Sequence, residues 1–379
     1  MIIGLNLLYM LPGLVGGTET YAAGLLHGLS RTETEDQFVV FVNMESAEWP
    51  LPDDPRFRRV LCPVHAVSRA ARYRYEQLRL PARALAHGVE LLHSLGYVAP
   101  LRLQCPSVVT VHDVHHLAHG RLRDWPRRLL LGRVVRRSVR RAAAVIADSR
   151  YMRAVIAAAY DVPASSIEVV SLAPNPGLGV GARPPAAGAF PGAAQGPYLL
   201  AFGGTTPNKN LGRLLRAFTV ARERHGLAQR LVVVGRLPPS MRPDQTAGVV
   251  ATGYLSEAEL AGVLGGADAL VFPSLYEGFG LPVLEAMAAG VPVVCSNATA
   301  IPEVAGDAAI YFDPRDVEDM ASKMAVVARD QGLRDDLAAK GRARAASFGW
   351  ERAARETLAI YGRVLGPAGV AAGSRPDFP

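Results

Sequence analysis

The feature that most constrains the fold is a regular alternation of short apolar runs with helix-type segments along most of the chain. Apolar runs of roughly four to eight residues that are bounded by turn residues are typical of buried strands. When such strands alternate with helices, they favour parallel sheets covered by helices. The sequence therefore predicts an α/β fold.

The predicted strands form two groups. Those of the first half are Ile2–Leu8, Phe38–Asn43, Arg59–Pro63, Val89–His93, Ser107–His112, Ala144–Asp148 and Ile167–Ser171. Those of the second half are Tyr198–Phe202, Arg230–Val234, Val249–Thr252, Ala269–Phe272, Val291–Cys295 and Ala309–Phe312. The predicted helices include Thr18–Ser30, Arg69–Ala86, Asp124–Arg141, Ser149–Ala159, Asn210–Arg224 and Ser256–Leu264.

A segment rich in Pro, Gly and Ala separates the two groups, which indicates an interdomain linker. A chain of 379 residues is also too long for one compact core. We therefore expect two doubly wound domains with a cleft between the carboxyl ends of their strands, where ligands usually bind. The predicted parts are a first domain (1–173), a linker (174–197), a second domain (198–349), a C-terminal helix (350–365) and a flexible tail (366–379).

The composition excludes several classes of protein. Half of the residues are hydrophobic and 20% are charged, so the chain is not expected to be disordered. No apolar run approaches the ~20 residues that span a bilayer. The first residues lack the basic region of a signal peptide. The scattered cysteines, Cys62, Cys105 and Cys295, are predicted to be buried reduced thiols in a cytoplasmic protein.

Positive charge is concentrated between Arg121 and Arg141, where nine arginines accompany a single acid and an apolar side. Two interpretations remain open for this segment. It is either a solvated surface helix or a helix that faces anionic lipid or an anionic acceptor. Nucleic acid is disfavoured as a partner, because no base-stacking aromatic pattern or known module is present.

The most informative segment runs from Pro273 to Glu285. A predicted strand precedes it, and a Gly-Phe-Gly turn then opens a helix. Such a helix N-terminus offers free N–H groups and a positive dipole end to a phosphate. Two carboxylates, Glu277 and Glu285, lie eight positions apart around the turn. Because they would repel a phosphate, they are better suited to accept hydrogen bonds from hydroxyls of a sugar or ribose.

This segment resembles the E-x7-E signature of retaining glycosyltransferases of the GT-B fold, most closely glycosyltransferase family 4. The resemblance covers nearly the full chain and is strongest from Tyr198 to Pro314. It implies two Rossmann-like domains, with an acceptor bound by the first and a nucleotide-sugar donor bound by the second. It implies that Glu277 contacts the donor sugar and Glu285 the ribose. The other donor-binding residues predicted in this segment are Gly278, Phe279, Gly280 and Leu281.

A second glycine turn, which contains Gly204, precedes the predicted helix that begins at Asn210. Lys209 in this turn could neutralise a diphosphate as a point charge, and Asn208 or Asn210 could cap the helix. The resemblance supports the role of Lys209. Many family members also carry an arginine near this lysine, and we expect Arg236 to replace it here.

The first domain has two candidate segments. Gly16 and Gly17 precede a helix, where a plain turn is as good an interpretation as a binding loop. The resemblance implies that their N–H groups approach the donor diphosphate, and that Glu19 and Tyr21 face the acceptor. Further along, the family's T-x-H-D form matches 110–113, and it implies that His112 reaches the donor sugar near the reacting centre and that Asp113 lies on the acceptor side.

Other polar residues leave alternatives open. His115 and His116, next to His112, raise the possibility of a metal site. No partner cluster and no D-x-D triplet supports it, so neither a metal nor another cofactor is expected. Asp148 and Ser149 are interpreted either as residues near the sugar or as a helix N-cap. Polar residues after the strand at 291–295, namely Ser296, Asn297 and Glu303, either approach the nucleotide or have a structural role.

The resemblance implies transfer with retention and without an enzymic nucleophile, the leaving phosphate taking the proton of the acceptor hydroxyl. Glu277 is then predicted to orient the sugar. The segment 277–281 and the pattern from Tyr75 to Pro81 resemble the corresponding segments of bacterial mannosyl- and rhamnosyl-type transferases of surface polysaccharides. This resemblance favours GDP-mannose as the donor and a glycan or lipid-linked molecule as the acceptor. Peripheral attachment at the inner face of the membrane is an option. A sugar-nucleotide epimerase, a phosphorylase or a non-catalytic binder are the alternatives.

Overall fold

The computed structural model describes residues 1–114, 125–175, 196–238, 241 and 246–366. The chain divides into two compact units, one comprising Met1–Leu172 and the segment from Gly349 onward, the other comprising Ala173–Phe348. Most of the predicted linker (174–197) and nearly all of the predicted tail (366–379) lie outside the described residues. That the first segment is a linker and the second a flexible tail therefore stays a prediction.

The first unit is built on a parallel sheet with the strand order β3-β2-β1-β4-β5-β6-β7. Its strands are β1 (Ile2–Asn6), β2 (Gln37–Val42), β3 (Phe57–Leu61), β4 (Leu91–Ser94), β5 (Ser107–Val111), β6 (Ala144–Ala147) and β7 (Ile167–Val169). Its helices up to β7 are α1 (Gly17–Ser30), α2 (Arg69–Leu78), α3 (Leu80–Ala86), α4 (Trp125–Arg141) and α5 (Arg150–Tyr160).

One predicted helix of the first unit is two helices in the structure. The segment Arg69–Ala86 is interrupted at Arg79, and α3 begins at the next residue with Pro81 in its first turn. Proline lacks a backbone N–H and its ring collides with the preceding helical turn, so one continuous helix cannot pass through it without a kink. The remaining boundaries differ from the predicted ones by a few residues.

The second unit repeats the same plan with the order β10-β9-β8-β11-β12-β13, again all parallel. Its strands are β8 (Tyr198–Phe202), β9 (Arg230–Val234), β10 (Val249–Gly253), β11 (Ala269–Phe272), β12 (Val293–Ser296) and β13 (Ala309–Phe312). Its helices are α6 (Leu211–His225), α7 (Glu257–Gly265), α8 (Leu281–Ala288), α9 (Ile301–Ala305), α10 (Val317–Arg329) and α11 (Gln331–Ala345). The prediction of two doubly wound parallel sheets is confirmed.

The strand order fixes where each unit can bind a ligand. In the second unit the chain leaves β8 toward β9 on one side and later returns to place β11 on the other. The loops that follow β8 and β11 therefore diverge and leave a crevice at the carboxyl edge of the sheet, as do those that follow β1 and β4 in the first unit.

The last helix, α12 (Trp350–Leu365), belongs to the first unit and packs on α1. Trp350 lies directly over two glycines of α1 that are four residues apart and so share one helix face. A Cβ atom at Gly24 would overlap the Trp350 ring, and one at Gly28 would overlap the Trp350 backbone. The close approach of the two helices therefore depends on glycine at both positions.

No helix among the described residues is both long enough and apolar enough to cross a membrane. All three cysteines are free thiols. Cys62 and Cys295 are buried, as predicted, whereas Cys105 is only partly buried.

We expect Gly24→Ala to lower the free energy of unfolding by about 1–3 kcal/mol, because the added methyl group overpacks the contact between α1 and α12. Gly362→Ala is the matched control: it lies in α12, and no atom lies within 4 Å of an added Cβ there. Alanine at that position should leave stability unchanged or raise it by up to about 1 kcal/mol. Urea unfolding of the two variants measures the difference, and equal stability would contradict the packing described.

Candidate active site

The second unit brings together two of the predicted residues in its crevice. Lys209 follows β8 and Glu277 follows β11, and Lys209 Nζ lies 2.9 Å from Glu277 Oε1. Their side chains are only 24% and 16% exposed. Lys209 Nζ also lies 5.5 Å from the centroid of the Phe272 ring. The ion pair thus spans the point where the two loops diverge, with its charged atoms largely shielded from water.

Side-chain amides tie the two loops together. The Asn208 amide donates to the carbonyl of Tyr276 at 3.3 Å. The Asn210 amide donates to the carbonyls of Pro273 at 3.1 Å and Pro314 at 2.6 Å. Asn210 occupies the N-cap position of α6, as one of the two predicted alternatives has it, but no backbone N–H of the helix donates to its side chain. Its Oδ1 accepts from the Arg213 side chain at 3.1 Å instead, and its amide bridges the loops, so the prediction is right in position but not in the capping hydrogen bond.

Gly204 leaves room for the side chain of Lys209. A Cβ atom at Gly204 would lie 2.9 Å from Lys209 Cγ, which is closer than real Cβ atoms approach a neighbour. The absence of a side chain at this position therefore shapes the path of the lysine toward Glu277. Arg236 follows the neighbouring strand β9 and is exposed, and its role toward a phosphate stays a prediction.

The Gly-Phe-Gly turn orients the start of α8. Gly280 has φ 107°, a conformation that favours glycine, and it occupies the N-cap position. The helix begins at Leu281 with Pro282 in its first turn. Phe279 is buried and packs edge-on against Phe348, with ring centroids 6.0 Å apart. Its side chain anchors the turn, so only the backbone of Phe279 is available to a ligand.

Thr299 supports the backbone of the turn and was not predicted from the sequence. Its Oγ1 accepts a hydrogen bond from the Glu277 N–H at 3.1 Å. Its φ of 61° is uncommon for a β-branched residue and indicates local strain. The polar run Ser296–Asn297 just before it was the only indication in the sequence. Ser296 itself has a structural role, since its Oγ accepts from the Ala298 N–H at 3.1 Å.

Glu285 lies inside α8 and is 8% exposed. Burial raises the pKa of its carboxyl to about 7, although a hydrogen bond from the Asn175 backbone opposes the shift and the charge of Glu257 adds to it. Near neutral pH this carboxyl is therefore partly protonated, and it can both donate and accept hydrogen bonds. Asn175 lies in the segment predicted as linker, so the sequence did not associate it with the site.

In the first unit, His112 is held by two hydrogen-bond acceptors. Its Nδ1 lies 2.8 Å from Asp148 Oδ2, and its Nε2 lies 3.1 Å from the carbonyl oxygen of Leu95. With Asp148 ionised, both partners are acceptors, and this arrangement favours a ring that carries hydrogen on both nitrogens. Burial alone would lower the pKa of His112, but the charge of Asp148 and these hydrogen bonds outweigh it, so the pKa is raised. Asp148 is thus a partner of His112, while Ser149 caps α5.

The residues predicted to face an acceptor have other surroundings. Tyr21 is 1% exposed and its hydroxyl lies 2.9 Å from Thr110 Oγ1, so its contacts are with the interior of the first unit, and its role toward an acceptor stays a prediction. The Glu19 carboxylate accepts from the Gly13 N–H at 2.8 Å and from Trp49 Nε1 at 3.1 Å. It holds the loop after β1.

The other predicted residues of the first unit lie along the same edge. Gly16 is the N-cap of α1 with φ 58°, and Gly17 is the first residue of the helix. Asp113 is partly buried beside His112 and contributes to its raised pKa. His115 and His116 lie outside the described residues. Within the described parts, no group of three or more His, Cys, Asp or Glu side chains could hold a metal ion.

Two family models match the chain. Residues 15–174 match "Glycosyltransferase Family 4", and residues 196–330 match "Glycosyl transferases group 1". The two matches together cover most of both units.

Relatives and solved structures agree with these matches. O-antigen chain mannosyltransferase B of Escherichia coli is 30% identical over 283 residues, which are 72% of this chain and 74% of that protein. MMP alpha-(1->4)-mannosyltransferase of Mycolicibacterium hassiacum is 35% identical over 170 residues, 42% of this chain and 41% of that one. Sucrose-phosphate synthase from Thermosynechococcus elongatus superposes with a TM-score of 0.75 at 19% identity, over 96% of this chain and 99% of that one. The protein therefore has the GT-B fold and is a glycosyltransferase that belongs to glycosyltransferase family 4.

Proposed function

We propose that the protein transfers a mannosyl group from a nucleoside-diphosphate sugar to a hydroxyl of a glycan or lipid-linked acceptor, with retention of anomeric configuration. The observation that carries the proposal is the Lys209–Glu277 pair at the crevice of the second unit, beside the N-terminus of α8. Two relatives whose names specify mannosyl transfer support the choice of sugar.

The second unit supplies positive partners for the departing diphosphate. Negative charge builds on the diphosphate as the bond to the sugar breaks. Lys209 and the positive N-terminal end of the α8 dipole are fixed positive partners for that charge, and such preorganised partners stabilise a transition state strongly. When a diphosphate binds, the Lys209 ammonium can bridge it to Glu277, which keeps the carboxylate in place for hydroxyls of the sugar.

The transfer is proposed to proceed on one face of the sugar. The bond from the anomeric carbon to the diphosphate oxygen breaks, and a bond to the acceptor oxygen forms on the same side. The leaving phosphate takes the acceptor proton, so no enzymic nucleophile is needed. Glu277 orients the sugar, and no step requires a metal ion. His112 contributes a positive charge near the reacting centre if its Nε2–H exchanges the Leu95 carbonyl for a sugar oxygen.

The basic helix α4 is proposed to face an anionic acceptor or membrane surface. Its described arginines from 133 onward are exposed. Two of them, Arg136 and Arg140, pair with Asp161 at 3.5 and 2.6 Å, which reduces but does not cancel the positive charge of this face. Arg121 and Arg123, which were included in the predicted basic segment, lie outside the described residues.

A donor panel tests the function. The protein is incubated with GDP-mannose, UDP-glucose, dTDP-rhamnose or ADP-glucose and a mannoside acceptor, and the products are separated by chromatography. We expect consumption of GDP-mannose with formation of an α-linked disaccharide, whose configuration NMR identifies. Isomerised donor would favour an epimerase, and no consumption of any donor would favour a non-catalytic binder; either outcome would contradict the proposal.

Glu277→Gln should remove most turnover, by roughly a hundredfold or more, because an amide lacks the charge that orients the sugar and pairs with Lys209. The affinity for the nucleoside diphosphate should change little, since Lys209 and the amides of the turn remain. Steady-state kinetics and calorimetric titration measure the two effects. Glu223→Gln, at an exposed position of α6, is the control. Turnover near the wild-type value would show that Glu277 does not have this role.

Glu285→Gln should stabilise the protein more at high pH than at low pH. The folded-state pKa of about 7 exceeds the ordinary value of 4.5, so the folded state binds more protons between these values. Stability is then lost as the pH rises through this window. Because glutamine mimics the protonated acid, the variant should gain roughly 1–3 kcal/mol over wild type at about pH 8 and little at about pH 5. Thermal unfolding at both pH values measures this, and a gain independent of pH would contradict the raised pKa.

A further inference from the structure

A chain of buried hydrogen bonds connects the C-terminal helix to the surroundings of His112. The Tyr361 hydroxyl of α12 lies 2.6 Å from His93 Nδ1, and His93 Nε2 lies 2.8 Å from Thr110 Oγ1. Thr110 Oγ1 lies 2.9 Å from the hydroxyl of Tyr21. The Tyr21 ring then packs edge-on against His112, with centroids 4.6 Å apart. These five residues all belong to the first unit, and no sequence pattern indicated the chain.

His93 must be neutral in this chain. It is fully buried, and burial, together with the charge of His112, lowers its pKa to about 3. A neutral imidazole has one donor and one acceptor nitrogen. One of the two flanking hydroxyls must therefore donate to His93 while the other accepts from it, so the two hydrogen bonds of His93 point the same way along the chain.

The chemistry of the donors favours one direction. A phenol is a better donor than a neutral imidazole N–H, and an imidazole nitrogen is a better acceptor than a phenol oxygen. The short 2.6 Å contact is thus best made with Tyr361 donating to His93 Nδ1. His93 Nε2–H then donates to Thr110, which leaves the Thr110 hydroxyl hydrogen available for Tyr21. In the opposite direction, His93 would have to donate to the phenol of Tyr361.

We propose that Tyr361 is a positioning residue for His112: by donating to His93 it fixes the tautomer of His93, and through Thr110 it sets the hydroxyl and ring of Tyr21 that pack against His112. The consequence for catalysis rests on the role of His112 in the proposed function. The C-terminal helix then has two roles in the first unit. It packs on α1, and through Tyr361 it supplies the first donor of the hydrogen-bond chain that leads to His112.

Four titratable side chains surround His112, and each could affect its pKa. Asp148 follows β6 and is the hydrogen-bonded counter-ion of His112, while Asp113 is the next residue in the sequence. His93 comes from β4 and Tyr21 from α1. Burial raises the pKa of Tyr21 well above the ordinary value, so it stays a neutral phenol. A change in the titration of His112 after substitution of Tyr361 must therefore come through His93 and Tyr21.

Tyr361→Phe tests the proposal, with nitrogen NMR of the histidine rings as the first readout. Without the phenol donor, the preference of His93 for the Nε2–H tautomer should weaken, since Thr110 can then either accept from Nε2–H or donate to Nε2. We expect a population with the proton on Nδ1, which is absent in wild type, to appear in the variant, and the pKa of His112 to shift by about 0.3 unit or more. Tyr198→Phe is the control, because it removes another buried phenol hydrogen bond, 2.8 Å to the Val263 carbonyl, outside this chain.

Kinetics give the second readout. We expect kcat to fall about tenfold in Tyr361→Phe with little change in the donor KM, because orientation rather than binding is lost. The double variant with His112→Asn should be no slower than His112→Asn alone, as expected for residues that act through one another. An unchanged His93 tautomer, or additive effects on kcat, would overturn the proposal.

Two further sets of variants test the proposal if the first experiments fail. If Tyr361→Phe does not fold, Thr110→Val cuts the same chain of hydrogen bonds between His93 and Tyr21, and Thr110→Ser restores it. Because Tyr361 still donates to His93 Nδ1 in Thr110→Val, the proposal requires the His93 tautomer to be kept there while the pKa of His112 shifts and kcat falls. It requires wild-type behaviour in Thr110→Ser. If His112→Asn leaves transfer unchanged, the proposed role of His112 fails, whereas the His93 tautomer still reports on the chain itself.

Discussion

The ion pair between Lys209 and Glu277 joins two loops at the crevice of the second unit, and the proposed binding of the donor depends on it. The two loops leave the sheet in opposite directions, and each presents one charged residue at the same point. Gly204 makes room for the lysine, and Thr299, whose φ is 61°, accepts a hydrogen bond from the Glu277 N–H. Because a largely shielded ion pair is costly to form unless both charges are well placed, it is weak evidence for stability, and we attribute it to the proposed site.

Burial favours the neutral form of every titratable group, but its outcome depends on the charged partners. It pushes Glu285 toward its neutral acid and keeps His93 neutral, because neither has a partner of opposite charge that offsets the lost hydration. His112 is largely enclosed too, yet Asp148 and a backbone carbonyl outweigh the effect of burial and raise its pKa. Within the first unit, the buried neutral imidazole of His93 and the more easily protonated imidazole of His112 thus differ because of their partners.

The sequence allowed the prediction of features that are local in the chain. The strand, glycine turn and helix around Gly280 follow from residues within one segment, and so does the proximity of Glu277 to the start of α8. The partners of these residues come from distant segments and could not be predicted. Tyr361 and His93 are 268 positions apart, and Thr299 is 22 positions from Glu277. The burial of Tyr21 could not be predicted either, because a polar residue after a glycine turn looks the same in the sequence whether it is exposed or buried.

The crystal structure of the protein with bound GDP tests the central proposition most directly. The diphosphate should lie within hydrogen-bonding distance of Lys209 Nζ and of the backbone N–H groups from Gly278 to Leu281, with the ribose hydroxyls at Glu285. A nucleotide bound at another place, with the Lys209–Glu277 pair unaltered and its crevice empty, would contradict the proposal that this crevice binds the activated sugar.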